Sequence, residues 1–398
     1  MVKPAVVDRL QQLVESPGQL AACVEDVAHS ARVGLDTESN GFHAYYEKVC
    51  LLQISTPEAD WAIDTLALGV APLLPLLADR ARECVLHAAE YDVLCMKRDY
   101  GFSFGRIFDT HAAAKALGID RVGLHDLLGD QLGVQLAVDE QRSDWGKRPL
   151  SPEQLQYAFA DVSYLLPLRE KLGEELGARQ LLAEAEAEFA RLIAKEPRPR
   201  EFDPEGWQRM KAARALDGRG RAVLRELYLL RDRRARDLNR PPFKVLSDLF
   251  LAEAARRQPK GEEELLRVPG TSLGALKKVG SQVLEAVKKG LSAEPIPRPR
   301  PGGGNGPQWR RGSPGAPPPE VEDRYQRLRA WRRSRAEARK VEVQVIAPNA
   351  VLWAIARANP SHLDALSRVE GMDAFRLEQY GPSILEALHR PGDQQKLL

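Results

Sequence analysis

Cysteine is scarce: Cys23, Cys50, Cys84 and Cys95 are the only four in 398 residues, and none forms a Cys-x-x-Cys pair. That excludes a thiolate metal knuckle and a disulfide framework, and predicts free buried thiols in a reducing compartment. Long apolar runs are lacking too. The longest, Leu66 to Ala78, contains Pro72 and Pro75 and falls short of the roughly 20 residues that a membrane-spanning helix needs. No basic, then apolar, then small-residue pattern opens the chain, so no signal peptide is expected and the predicted location is the cytoplasm. What is present, 43% apolar and 29% charged residues, is ordinary for soluble globular protein and too apolar for global disorder. The length calls for two or three domains.

The formal net charge is only +2, yet it hides a division. Residues Met1 to Trp207 carry 21 basic and 34 acidic side chains, a net of about −13, and Gln208 to Leu398 carry 37 and 22, about +15. An acidic front half joined to a basic back half suggests chemistry in one and polyanion binding in the other.

Apolar runs at Val33–Asp36, Val49–Ser55 and Trp61–Asp64 read as three strands, with further short strands at Val85–His87 and Ile107–Asp109. Leu66–Ala78 and Asp92–Asp99 read as helices, and from His111 the pattern is mostly helical. Three strands before the first helix predict an α/β fold with a mixed sheet. Ser151-Pro152-Glu153-Gln154 is a helix start: Ser caps, Pro suits the first position and Gln completes a capping box. Glu196 to Arg200 looks like a joint. A longer one, Pro295 to Pro319, is rich in Pro and Gly, contains Arg298, Arg300, Trp309, Arg310 and Arg311, and has no acid; it reads as an extended tether.

The segments on either side of this tether repeat each other at a constant offset of 101: Arg267-Val268-Pro269-Gly270 against Arg368-Val369-Glu370-Gly371, and Val283 to Val287 against Ile384 to Leu388. Ungapped self-similarity predicts two copies of one small all-helical domain. The expected division is residues 1–200, 208–293, a linker at 294–319, and 320–395.

Three acidic stretches make one site: Asp36-Thr37-Glu38, His87 to Asp92, and Tyr157 to Asp161. Asp36 and Glu38, two apart on a strand, leave the same face. Tyr157 and Asp161, four apart on a helix, also share a face. Asp92 sits where a helix dipole favours an anion. Four carboxylates gathered at one point repel one another and want hard divalent cations. A pair of such ions would clamp both sides of a phosphodiester displacement, with Tyr157 holding the attacking water. Phe42, His43, Tyr45 and Tyr46 follow the first stretch in a loop and could stack on terminal bases or pack beneath it. His87 either touches substrate or packs at a strand end. Gln53 and Asp109 read as supporting or capping groups. Arg231, Arg233, Arg234 and Arg236 form a basic stripe in the back half, suited to phosphates or to solvent.

At these residues the chain resembles the DEDDy 3′-to-5′ exonucleases, which have an RNase H-like fold, and within them the ribonuclease D family. The three acidic stretches match the three exonuclease motifs in order, and Gln141 to Trp145 with Arg148-Pro149-Leu150 match the ribonuclease D branch. The duplicated segments resemble the HRDC domain, a helical nucleic-acid-binding module. The resemblance implies two Mg²⁺ or Mn²⁺ ions on Asp36, Glu38, Asp92 and Asp161, Tyr157 at the water, and trimming of tRNA precursors and small structured RNAs from a free 3′ end to 5′-mononucleotides. No protein partner is predicted, and a monomer is expected. Val138 stands where the family usually has a lysine suited to a substrate phosphate; Lys147 or Arg148 could compensate. A 3′-to-5′ DNA exonuclease and a silent RNA-binding adaptor remain the alternatives, the first disfavoured by the Arg142-Ser143-Asp144-Trp145 signature and the second by intact acids.

Overall fold

The computed structural model describes residues 9–136, 140–197, 201–270, 273–297 and 317–389. Val138 and most of the tether, Trp309 included, lie outside the described residues.

A six-stranded sheet forms the acidic half, with strands β1 (Leu10–Val14), β2 (Arg32–Ser39), β3 (Val49–Ser55), β4 (Ala59–Asp64), β5 (Glu83–Leu86) and β6 (Ile107–Asp109) in the order β1-β4-β3-β2-β5-β6. β2 and β4 run antiparallel to β3, and the remaining pairs are parallel. The sheet is therefore mixed, as the strand order in the sequence demands. Every residue of β3 is buried. A central strand covered on both faces has no solvent side, so its polar–apolar alternation disappears.

Helices α1 (Pro17–His29), α2 (Glu90–Tyr100), α3 (Thr110–Ala116), α4 (Pro152–Ser163), α5 (Leu165–Ala178) and α6 (Leu182–Ile193) surround the sheet. α4 begins as the sequence predicts. The Gln154 backbone N–H donates to Ser151 Oγ while the Gln154 side chain accepts from the Ser151 N–H. Gly34 lets α4 and α5 close on β2, since a Cβ there would lie 3.2 Å from the Val162 carbonyl and 3.3 Å from Leu165 Cβ.

Two expectations fail locally. Leu66–Ala78 is not one helix but a 3-10 turn, Ala71–Leu73, running into a short helix, Leu74–Ala78. Asp64 Oδ1 accepts from the Leu66 and Ala67 N–H groups and holds a turn at the expected helix start. Pro72 and Pro75 then allow helix only from the points where each can sit in a first turn. β1, which pairs with β4 at the sheet edge, has no counterpart among the predicted strands.

The basic half holds two helical modules with separate cores, one around Trp207, Leu227 and Phe250 and one around Leu328, Ile346 and Trp353. The first is built on α7 (Gly218–Asp237), α8 (Asp248–Arg257) and α9 (Leu273–Ser292), and the second on α10 (Pro319–Arg339), α11 (Asn349–Ala358) and α12 (Ala374–His389). Even the backbone specials repeat. Asn239 and Lys340, Gln258 and Asn359, and Gly270 and Gly371 all take left-handed φ values at matching positions.

Both modules dock on the sheet domain. Asn239 Oδ1 accepts from the Tyr45 and Tyr46 N–H groups, and the Tyr45 hydroxyl donates to Asp232 at 2.7 Å. From the second module, Arg339 pairs with the buried Glu184 of α6 and Lys115 of α3 pairs with Glu342.

Candidate active site

β2 carries Asp36 and Glu38 toward α4, and α4 presents Tyr157 and Asp161 back toward β2. Asp36, Glu38 and Asp161 each offer an oxygen, and these all lie within 4.8 Å of one another. Glu38 and Asp161 are buried. Burial, and then the charges of Asp92 and Asp161, hold the Asp36 carboxyl well above the usual carboxylate range. Burial and its acidic neighbours do the same to Glu38. A site that penalises its own negative charges so strongly suits an added cation.

Asp92 enters from the first turn of α2 and lies outside that tight group of three, although its charge is felt by Asp36 and Glu38. The Thr37 hydroxyl donates to Asp92 Oδ1. Burial pushes the Asp92 carboxyl up to about 7 despite that hydrogen bond. Asp109 prepares the approach to α2. It accepts from the N–H groups of Ala88 and Ala89, and it also caps α3 through His111 and Ala112. Tyr157 is buried and hydrogen-bonded to Asp161; burial and the carboxylates around it raise its phenol, so the hydroxyl keeps its proton.

These groups line a cleft of about 940 Å³. Phe42, half exposed, forms part of its rim, and Pro241, Pro242 and Phe243 of the first helical module complete the wall. His87 lines it as well. Its Nδ1 lies 2.9 Å from Thr110 Oγ1, and burial with the nearby His111 lowers its pKa to about 4, leaving a neutral ring.

Other residues singled out by sequence do different work. Tyr45 lines the cleft, but its hydroxyl is spent on Asp232, and Tyr46 packs edge-on against it. His43 Nε2 lies 3.0 Å from the Arg142 carbonyl oxygen, and its other side faces Asp144 and Lys244. Arg148 is committed to the interior. It forks onto Asp64 and donates to the carbonyls of Cys50, Trp145 and Lys147, so it holds the loop before α4. Arg231 is buried, bridging the Leu246 carbonyl and Asp248. Arg234 pairs with Asp237 and Arg236 with Asp232, and Arg233 is exposed. The expected basic stripe thus divides between internal ties and surface. Gln53, fully buried opposite Asp36 on β3, has neither amide atom paired. All four cysteines are free and buried.

Sequence reasoning missed Thr37 and the Pro241–Phe243 wall. Thr37 had a signal: between two acids on an alternating strand it must face the sheet's other side, where α2 lies. The wall had none, because it comes from another domain.

A family model described as a 3′-5′ exonuclease matches residues 11–177, and the HRDC domain model matches 220–287 and 321–388. The chain is similar to ribonuclease D of Gluconacetobacter diazotrophicus, 34% identical over 280 residues that cover 69% of this chain and 70% of the relative. Ribonuclease D of Pseudomonas paraeruginosa is 29% identical over 383 residues, 95% of this chain and 97% of the relative. The crystal structure of Escherichia coli RNase D, an exoribonuclease involved in structured RNA processing, superposes with a TM-score of 0.63 at 24% identity, covering 95% of this chain and 98% of that one, which shows a shared fold. With the acidic cluster and both helical modules in place, the chain belongs to the ribonuclease D family of 3′-to-5′ exoribonucleases.

Proposed function

We propose that Asp36, Glu38, Asp92 and Asp161 hold two divalent cations, Mg²⁺ or Mn²⁺, and that Tyr157 positions the water that attacks the terminal phosphodiester of an RNA. One observation carries this reading: three carboxylates from two separate elements, two of them buried, place oxygens within 4.8 Å of one another at the cleft. The donor set is all hard oxygen, which fits those cations and disfavours softer metals. Bound there, the ions supply positive charge for the attacking and departing oxygens. The chain's own residues do the rest. Glu38 and Asp161 fix the geometry from β2 and α4, and Thr37 aims Asp92. Tyr157, kept protonated, orients the water through its hydroxyl. Water adds to phosphorus, the bond to the upstream 3′ oxygen breaks, that oxygen takes a proton, and a 5′-mononucleotide leaves.

The substrates would be tRNA precursors and other small structured RNAs with a free 3′ end. Phe42 and Phe243, facing the same cleft from two domains, are suited to stack on the terminal bases. His87 offers a neutral ring to the end nucleotide. The proposed division is residues 1–200, 208–293, a linker at 294–319 and 320–395, a reading supported by three separate hydrophobic cores, and the protein would act as a monomer. Among the described residues no helix is long and apolar enough to cross a membrane.

The test uses an end-labelled tRNA precursor with and without EDTA. Wild-type protein should release mononucleotides only without chelator, and folded Asp36→Asn should release almost none. Equal turnover by Asp36→Asn would remove the proposed role of the cluster.

A further inference from the structure

The duplication lets one module serve as a control for the other. In the first module the face formed by Asp232, Arg236 and Asn239 is occupied: it clasps Tyr45 and Tyr46 of the sheet domain. At the offset of 101, the same positions of the second module are Arg333, Glu337 and Lys340. There the face is an open groove of about 590 Å³. Arg333 pairs with Glu337 along its rim, and both are exposed. Arg329, the counterpart of Tyr228, adds a further exposed cation to its lining. A surface that grips protein in one copy has become predominantly basic in the other.

The floor of the groove differs in the same sense. Arg231 and Arg332 occupy equivalent positions and make equivalent hydrogen bonds, to the carbonyls of Leu246 and Ala347. Arg231 also has a counter-ion, Asp248, at 2.5 Å. The residue in Asp248's place in the second module is Asn349. Arg332 is only 5% exposed, lines the groove, and has a buried Nε with no partner. Among the described residues no carboxylate pairs with it. A buried guanidinium without an anion is costly unless an anion arrives. Arginine's planar fork matches phosphate oxygens.

We propose that this groove of the second module, floored by Arg332 and rimmed by Arg329, Arg333 and Lys340, binds the phosphodiester backbone of the RNA whose 3′ end is in the nuclease cleft. The groove is fixed relative to the nuclease. Its Lys340 end lies against Gly118, and the adjacent Arg339 is locked onto Glu184 and the Ala116 carbonyl. The first module, its equivalent face spent on docking, sets the cleft wall; the second holds the strand upstream. This rests on the exoribonuclease assignment, so the test reads the two separately.

Full-length wild type, Arg329→Glu/Arg333→Glu and Asn349→Asp are compared on a 5′-labelled oligouridine of about thirty nucleotides and on a tetranucleotide too short to reach the groove. Cleavage of the tetranucleotide by wild type reports the catalytic site alone. For the long RNA, the double variant should raise KM roughly tenfold with kcat retained, and flatten the dependence of log KM on log salt by about 0.7 for each phosphate no longer neutralised. Asn349→Asp restores the counter-ion that Arg231 has. It should move KM the same way by a smaller factor without lowering Tm, which a merely structural role for Arg332 would not produce. Tetranucleotide kinetics should be unchanged in both. An unaltered long-RNA KM in both variants, or an equal loss on the two substrates, overturns the proposal.

Discussion

Thr37 donates its hydroxyl to Asp92 and so ties β2 to the first turn of α2 inside the acidic site. Asp36 and Glu38 on one face of β2 look toward α4, while Thr37 between them reaches α2. One strand therefore positions carboxylates on two helices. Thr37→Val keeps the shape of the side chain and removes the donor. Expected is a fall in kcat of roughly 10- to 100-fold, the usual cost of losing a group that orients a ligand, with a higher Mg²⁺ concentration for half-maximal rate. Activity measured across a Mg²⁺ titration, with the fold checked by circular dichroism, gives the answer. An unchanged titration would mean that Asp92 needs no such anchor.

Tyr157→Phe separates positioning from metal binding. The phenol is buried against Asp161, and its proton is held by burial and by the surrounding acids. Removing the hydroxyl should lower kcat by about 10²-fold or more, the scale of a positioned proton-handling group. Mn²⁺ affinity, read calorimetrically, should barely change because all four carboxylates remain. A parallel loss of metal binding would make Tyr157 a structural partner of Asp161 only.

The crowded acids also predict how the metal-free protein responds to pH. Asp92 is raised by burial from its ordinary 3.8 to about 7, and Asp36 and Glu38 shift in the same direction. For a carboxyl with a raised folded pKa, the folded state retains a proton that the unfolded chain has released. Its stabilising contribution is complete below the unfolded value and is lost as pH rises through the folded one. In EDTA, Tm should therefore fall between about pH 4 and pH 7. Saturating Mg²⁺ should flatten or reverse that slope, since cations favour the charged forms. Identical melting profiles with and without Mg²⁺ would contradict a shared cation site.

What could be seen in the sequence follows from the range over which each signal acts. The strand bearing Asp36 and Glu38, the capping box at Ser151 and the duplicated modules are local or periodic patterns, and they were legible. Leu66–Ala78 misled because its composition is helical, while one carboxylate, Asp64, diverts the first backbone N–H groups into a turn. Arg148 and Arg231 misled for a related reason. An arginine beside a motif looks free until its partners, Asp64 and Asp248, arrive from distant elements. The Tyr45–Asp232 clasp crosses domains, and no local pattern encodes it.

Phe243 provides the test of whether that cross-domain wall acts on RNA. The residue is 51% exposed yet lines the nuclease cleft, following Pro241-Pro242. An exposed aromatic contributes little to folding, so Phe243→Ala should change stability by no more than about 0.5 kcal/mol. Losing one base-stacking surface costs about 1–3 kcal/mol, so KM for single-stranded RNA should rise about 5- to 150-fold. Asn239→Ala provides the second arm. It leaves Phe243 in place but loosens the clasp on Tyr45 and Tyr46 that sets the wall against the cleft. It should weaken RNA binding less than Phe243→Ala does, and the double variant should lose less than the sum, because a loosened wall already stacks poorly. Full additivity would make the two residues independent and reduce the clasp to a tether.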